Sequence, residues 1–372
     1  MTKKSDAPAI RFKGFSDAWE QRKLGDIASD IVAGGDIDKD LILAEGQYPV
    51  IANALTGDGI VGYYDKEYRV NAPAVTVTGR GDVGHAKTRL VNFTPVVRLL
   101  SVKSEHDVFF LENAINTLKI VIESTGVPQL TVPQLAKYEV AFPRQLDEEK
   151  HIGAFFKQLD HLITLHQRKF EKLTNVKKSM LEKMFPQNGS SYPEIRFKGF
   201  TDPWEQRKFE EIAVRSSVIC SDDTLPRVEY EDIVSGTGRL NKDIYAKQSI
   251  KSGIAFHQGD VLYGKLRPYL QNWLLPTFDG LAVGDFWVLQ PQNADSSFLY
   301  RLIQSRQFDE VANQSTGTKM PRADWKLVSK TVFSIPSNIS EQAAIGTYFT
   351  ALDSLITLHQ RQPFFIQPRI FL

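Results

Sequence analysis

This chain repeats part of itself. Residues 10–23, IRFKGFSDAWEQRK, return at 195–208 as IRFKGFTDPWEQRK, identical at 12 of 14 positions. Residues 152–168, IGAFFKQLDHLITLHQR, return at 345–361 as IGTYFTALDSLITLHQR, identical at 12 of 17. The first pair is offset by 185 residues and the second by 193, so the second copy holds 193 − 185 = 8 extra residues between its matched ends. The stretches between those ends do not align over any length. A fold for this chain must therefore build one frame twice and fill it with different contents. Such a scaffold suits a protein that recognises two different things at a fixed separation.

The bulk numbers narrow the class. At 372 residues there is room for two domains with full cores, and 42% apolar with 24% charged residues is ordinary for a globular protein. The single cysteine, Cys220, excludes a disulfide framework and a multi-cysteine zinc site, and fits a reducing cytoplasm. The first residues, MTKKSDAPAIRFKG, lack the apolar run of a signal peptide. No window approaches the roughly 18 apolar residues that span a bilayer. The expectation is a cytoplasmic protein without a membrane partner. A net charge of +1 says little, because a nucleic-acid binder of this size must sort its cations onto one face.

Each module opens with its tryptophan segment, and Asn188-Gly189-Ser190-Ser191 reads as a linker before the second. Strands are expected at 72–79, 96–102, 260–264 and 285–291, which are rich in β-branched and aromatic residues. Short helices are expected around 109–123 and 296–312 from their apolar spacing. The class is α+β: two mixed α/β domains, at 1–147 and 187–338, with long conserved helices at 148–186 and 339–372. In the first of these, Phe156, Leu159, Ile163, His166, Phe170, Leu173, Lys177, Met180 and Met184 keep alternating three- and four-residue spacing. This is a heptad seam with two polar interruptions. A helix of some 30 residues would be about 45 Å long. Its partner is available in the repeated copy, so Leu159, Ile163, His166, Phe170 and Leu173 are expected to pair antiparallel with Leu352, Ile356 and His359.

Two nucleotide-binding signatures fail on context. Gly79-Arg-Gly81-Asp-Val-Gly84 matches a dinucleotide fingerprint, yet the following residues are polar, β-branched and closed by Pro95 rather than helical. Gly259 to Lys265 resembles a P-loop, but Leu266 lacks the magnesium-ligating hydroxyl and Arg267-Pro268 prevents a clean helix start. Neither Asn-Pro-Pro-Tyr nor Asp-Pro-Pro-Tyr, the motif with which amino-methyltransferases hold a target base, occurs. No catalytic apparatus is defensible, and no metal ligands are nominated.

What remains suits nucleic acid. Thr78, Arg80, His85, Lys87 and Arg89 surround the glycine-rich turn of the first module. In the second, Lys265, Arg267, Tyr269, Gln271 and Asn272 cluster, with Arg239 and Asn241 after a Gly-Thr-Gly turn. Arginine and lysine suit guanine edges and phosphates, while asparagine and glutamine suit adenine. Any one of these residues alone could be a solvated turn residue. Residues 166–184 are also basic, with Arg168, Lys169, Lys172, Lys177, Lys178 and Lys183 against Glu171 and Glu182, so 6 − 2 gives +4.

Two variable domains, each followed by a near-repeated helix and preceded there by Ser124-Thr125-Gly126 or Ser315-Thr316-Gly317, resemble the specificity (S) subunits of type I restriction-modification systems. Gln129-Leu130, Val132-Pro133, Lys319-Met320-Pro321, Gly259-Asp260-Val261-Leu262 and the Glu-Gln-Arg-Lys openings carry the resemblance. It implies a non-catalytic subunit whose two target-recognition domains each read half of a bipartite double-stranded DNA site, with the helix pair as ruler. It also implies docking of methyltransferase (M) and restriction (R) subunits, which bring S-adenosylmethionine, ATP and magnesium. Other classes remain open on the residues alone: a coiled-coil scaffold with two ligand-binding domains and no DNA role, or an oxidoreductase using the GRGDVG loop. The repeat stops after Arg361, where QPFFIQPRIFL replaces KFEKLTNVKKSMLEKMFP. Pro363 and Pro368 are expected to stop the second helix, leaving a shortened pair.

Overall fold

A computed structural model of the chain describes residues 8–121, 128–187, 189–246, 249–314 and 320–366. It divides into two compact units, one made by the residues up to Leu165 together with those from Pro363 on, and one by His166–Gln362. The division falls within the first long helix, Leu146–Lys183. The Ser-Thr-Gly segments and Lys319 lie outside the described residues.

In the first unit the repeated opening segment ends in the strand Glu20–Lys23, which pairs antiparallel with Glu139–Phe142, the strand just before the long helix. The unit is thus closed where it begins. Between these two strands the chain builds a four-stranded antiparallel sheet in the order Ala28–Ala33, Leu100–Ser104, Ala74–Val77, Ala86–Arg89. The helix Val108–Asn116 covers it and buries Phe110, Leu111, Ala114 and Ile115 against Val75, Val77, Leu100 and Val102. A smaller sheet of Ile60–Tyr64, Tyr48–Ile51 and Thr94–Pro95 carries a second core around Ile51, Val70, Phe93 and Leu99.

The second unit follows the same plan. Glu205–Lys208 pairs with Val332–Ile335, and the main sheet runs Ala213–Ser216, Phe286–Pro291, Val261–Gly264, Trp273–Leu274. Numbered along the chain, both sheets have the spatial order first, fourth, second, third. The interiors that do not align as sequences therefore share a topology. Trp287, Tyr263, Phe298, Phe308 and Phe333 are fully buried here, so this core is richer in aromatic residues than the first unit's, where Trp19, Phe110 and Phe142 sit among aliphatic residues.

Several expected boundaries move, each for a local reason. The strand expected at 96–102 begins only at Leu100, because Arg98 takes a left-handed conformation (φ 69°) that interrupts extension. The helix expected at 109–123 ends at Asn116. The one at 296–312 is two helices, Ser296–Leu302 and Arg306–Ala312, the second capped by Ser305. Pro363 does not stop the second long helix, which runs from Ile339 to Ile366. The proline ring fixes φ at a helical value, and its missing N–H removes one bond near the helix end. Pro368 lies outside the described residues.

One clasp holds each frame. The Arg11 guanidinium donates to both oxygens of Glu148, at 2.5 and 2.7 Å, and Trp19 Nε1 donates to Glu148 at 3.4 Å. Arg196, Glu341 and Trp204 repeat it at 2.7, 2.8 and 3.2 Å. Both carboxylates are buried, and each sits in the first turn of a long helix. The next residue differs: Glu149 accepts from the Asp107 N–H and contacts His106 at 2.8 Å, whereas Gln342 accepts from the Asp295 N–H. Burial pushes the Glu149 carboxyl above its usual range, partly offset by His106.

The repeated glycine is a contact point. A Cβ on Gly153 would lie 2.0 Å from Asp107 Oδ1, and one on Gly346 would lie 1.8 Å from Ser297 Oγ and 2.9 Å from the Ser297 carbonyl carbon. Each long helix thus touches the start of the short helix packed on its sheet.

Because the arginine would be left with its counter-charge gone, Glu341→Ala should cost about 3–5 kcal/mol in urea unfolding. Arg196→Lys keeps the charge but loses the bidentate fork, so it should cost less. An Arg196→Lys variant as stable as the parent would refute a contribution from the fork. Gly346→Ala should cost about 1–3 kcal/mol by overpacking.

Candidate nucleic-acid interface

The two clusters singled out in the sequence fall on the same hairpin of the two sheets. In the first unit, Thr78–His85 joins Ala74–Val77 to Ala86–Arg89, which pair antiparallel. The glycine-rich segment therefore closes a hairpin and leads into a strand, without the helix that a dinucleotide site needs. In the second unit, Lys265–Asn272 joins Val261–Gly264 to Trp273–Leu274. Both loops are tied by an equivalent backbone bond to the segment leading back to the closing strand: Leu130 N–H donates to the Gly79 carbonyl, and Ala323 N–H to the Lys265 carbonyl, each at 2.9 Å. Leu130 and Ala323 are related by the 193-residue offset.

Within the first loop the side chains divide. Thr78 is buried; its hydroxyl donates to the Asp82 carbonyl and accepts from the His85 N–H, which shapes the turn. Arg89 is half-buried, bonded to Thr76 Oγ1 and the Asp58 carbonyl, and burial lowers its pKa. Lys87 is exposed and 3.6 Å from Asp58. Arg80 and His85 are exposed, and their side chains make no hydrogen bond or ion pair among the described residues. Sequence reasoning missed Arg98 beside this loop. It is left-handed, its carbonyl oxygen would be 2.1 Å from a Cβ on Gly79, and its guanidinium donates to Gln129. Nothing in a Val-Val-Arg-Leu-Leu run signals that conformation.

The second loop is the more strained. Arg267 (φ 49°) and Gln271 (φ 55°) are both left-handed, and between them Pro268–Leu270 forms a single 3-10 turn. Strain at non-glycine residues persists only where surroundings impose it, and it gathers at functional sites. Here the Arg267 N–H is held by the Pro321 carbonyl at 2.7 Å. The turn presents Arg267 and Tyr269 to solvent, Tyr269 being 56% exposed. Lys265 instead lies 3.4 Å from Asp285, which also receives Arg322 at 3.0 Å. Burial raises the Asp285 pKa, but Arg322 and Lys265 outweigh it and hold the carboxyl below its usual range. Tyr230, also missed, supports the loop: its hydroxyl donates to the Asp285 carbonyl and accepts from the Leu266 N–H. Asn272 is buried, and its Oδ1 has no hydrogen-bond partner.

Two of the nominated residues face elsewhere. Arg239 reaches the second long helix, donating to Thr357 at 3.2 Å and Gln360 at 2.7 Å. Asn241 is exposed but spends its amide on the Glu231 carbonyl at 2.6 Å.

In the second unit the two long helices meet, and the polar breaks in the heptad seam are where they recognise each other. His166 Nδ1 lies 2.8 Å from His359 Nδ1, and Lys177 lies 2.6 Å from Asp353. Rising numbers on one helix meet falling numbers on the other, so the pair is antiparallel. Asp353 also receives Arg301 at 2.7 Å, and burial lowers the Lys177 pKa despite that carboxylate. Leu173 packs on the core that contains Leu352, while Phe170 and Ile356 line a groove beside Lys177. Leu159 and Ile163, partly buried, belong to the first unit's share of the helix.

Among the described residues no group of three or more His, Cys, Asp or Glu could hold a metal ion, and no helix is long and apolar enough to cross a membrane.

Residues 16–175 match the family described as the type I restriction modification DNA specificity domain. A Mycoplasma pneumoniae protein named as a type I specificity subunit is 32% identical over 137 residues, 36% of this chain and 37% of the relative. Another from that organism, named as the C-terminus of such a subunit, is 32% identical over 27% of this chain and 70% of its own length. The specificity subunit of the Methanocaldococcus jannaschii type I restriction enzyme MjaVIII is 22% identical over 92% of this chain and 88% of its own. The chain thus spans under half of the first relative but most of the last. A solved S subunit of a type I restriction-modification system from M. genitalium shares the fold, with a TM-score of 0.66 and 14% identity over 96% of this chain and 95% of that one.

The histidine contact makes helix pairing sensitive to acid. Burial, then Lys169 and His166, lower the His359 pKa below its ordinary value of about 6.5. A base lowered in the folded state stabilises the fold fully above its unfolded pKa, and that stability is lost as pH falls through the folded one. Thermal melts should therefore show the second unit weakening as pH drops below about 6.5. In His359→Leu the dependence in that window should flatten; an unchanged pH profile would contradict the assignment.

Proposed function

The chain belongs to the type I restriction-modification specificity-subunit family, and from that premise we propose that it is the non-catalytic DNA-reading subunit of such a system. Its two units each read one half of a bipartite double-stranded DNA target. The observation that carries this reading is the position of two unlike, cation-bearing loops on one equivalent hairpin, each tied by an equivalent backbone bond within modules whose ends repeat. A frame that repeats while its loops differ is what reading two unrelated half-sites requires.

The chemistry of the loops supports a division of labour. Arg80 in one unit, and Arg267 with Tyr269 in the other, are exposed on rigid bases and suited to base edges and sugar-phosphate. Lys87 and His85 are placed to contact phosphates. Thr78, Arg89 and Lys265 hold the loops in shape. The paired helices set the separation of the half-sites and provide the docking surface for methyltransferase subunits, and the assembled enzyme recruits restriction subunits. S-adenosylmethionine, ATP and magnesium act in those partners, in the cytoplasm. A scaffold without a DNA role would need neither the strained Arg267 turn nor the common anchorage of the two loops.

Mapping methylated adenines in cells with and without this chain tests the reading directly: a bipartite motif should vanish on deletion, and an unchanged pattern would overturn it. In the assembled complex, Arg267→Ala should weaken binding to the cognate site by about tenfold or more and relax one half-site, since a good base contact contributes roughly 1–3 kcal/mol. Arg239→Ala should instead lower stability and leave specificity intact.

A further inference from the structure

The Arg80 hairpin does not stand alone. In the smaller sheet of the first unit, residues 52–59 join Tyr48–Ile51 to Ile60–Tyr64, and this second loop is fastened to the hairpin on two sides. On one side Asn53 Oδ1 accepts from the Gly79 N–H at 2.8 Å, while its amide donates to the Val97 carbonyl at 3.0 Å. On the other side Arg89 donates to the Asp58 carbonyl at 2.9 Å. The two loops therefore present one surface. The second unit has a companion turn too, at 235–238, where the Gly236 N–H donates to the Gln271 carbonyl at 3.0 Å and the Ser235 hydroxyl to the Leu270 carbonyl. That turn, Ser-Gly-Thr-Gly, carries no charged side chain, whereas the first unit's carries Asp58.

Asp58 sits at the tip of its loop. Gly57, Asp58 and Gly59 are left-handed in succession, with φ of 58°, 55° and 73°. Glycine would adopt that backbone at position 58 without strain, so what aspartate adds is its carboxylate. The carboxylate is 65% exposed and lies 3.6 Å from Lys87, an exposed pair of a kind that adds little stability. Asn53 and the Asp58 main-chain carbonyl hold the loop, and the carboxylate is left free to meet a ligand. Beside Arg80, His85 and Lys87, an anion is repelled by phosphates and becomes useful only where DNA offers a hydrogen-bond donor. In the major groove that donor is the cytosine N4 amino group, from which aspartate accepts.

We propose, on the basis of the DNA-reading function above, that Asp58 reads a cytosine in the half-site of the first unit. Its carboxylate accepts from the N4 amino group, and Lys87 neutralises a neighbouring phosphate. The first unit thus reads with two joined loops, the second of them outside the cation cluster around the glycine-rich turn.

The test uses the full chain assembled with its methyltransferase subunits, duplexes varied one base pair at a time, and maps of methylated adenines. Asp58→Gly suits the left-handed backbone, so the melting temperature should hold while discrimination for one cytosine falls about tenfold or more. Asp58→Asn, which sets a donor beside an acceptor, should move the preference at that position toward adenine. Lys87→Ala should weaken all duplexes evenly instead. Unchanged discrimination in both Asp58 variants, an even loss across all duplexes, or relaxation at an A·T pair overturns the proposal. Relaxation in the half-site that Arg267→Ala relaxes overturns it too, because that half belongs to the other unit. A parent complex with no bipartite target would overturn the DNA-reading function itself, and this proposal with it.

Discussion

A buried carboxylate at the start of each long helix holds the rest of the molecule in register. Glu148 and Glu341 each accept a bidentate arginine and an indole N–H from a segment more than a hundred residues away in sequence. Burying such an ion pair costs solvation, and two apolar residues of similar size could give as much stability. They would not fix direction. A planar guanidinium meeting a planar carboxylate sets the angle between opening segment and helix, and the indole sets where the first strand leaves. With the ends tied, the opening and closing strands pair, and the intervening chain becomes a closed insert. That is why the repeated residues cluster at Arg11, Trp19, Glu20–Lys23 and the helix start, while the interior is free to vary.

Much of this was legible because repetition is a comparison the sequence makes with itself. The frame, the two long helices and the positions of the loops follow from two short matches and a heptad count. The likeness of the interiors was not legible. The two main sheets share a strand order with cores of different character, aliphatic around Val75 and Val102 and aromatic around Tyr263 and Trp287. Topology is set by which strands can pair between tied ends; residue identity needs only to fill the volume. The clusters at Thr78–Arg89 and Lys265–Asn272 were picked as unrelated patches, and only the sheet reveals that they occupy one hairpin.

Within the candidate interface, the sequence identified residue types but not their duties. Arg89 and Arg267 read alike as loop arginines, yet one is held by Thr76 and Asp58 while the other stands in solvent on a strained turn. The difference lies in backbone conformation and in distant partners such as Pro321, which no local pattern encodes. Arg98 shows the same gap from the other side. A residue inside an apolar run was read as strand, yet it is left-handed and its carbonyl lies against Gly79.

The polar breaks in the helix seam carry the same division between scaffold and variation. A seam of apolar residues alone tolerates sliding by a heptad, because each register buries similar area. His166 against His359 and Lys177 against Asp353 remove that freedom, since a shifted register would strand a buried histidine or lysine without its partner. Asp353 is further tied through Arg301 to the short helix on the second unit's sheet. The register of the helix pair is thereby linked to the same sheet that carries the Arg267 loop. Substituting loop residues leaves this chain of contacts untouched, whereas shifting the helices would displace the loop's foundation. A protein built this way can change what its loops meet without changing how they are held.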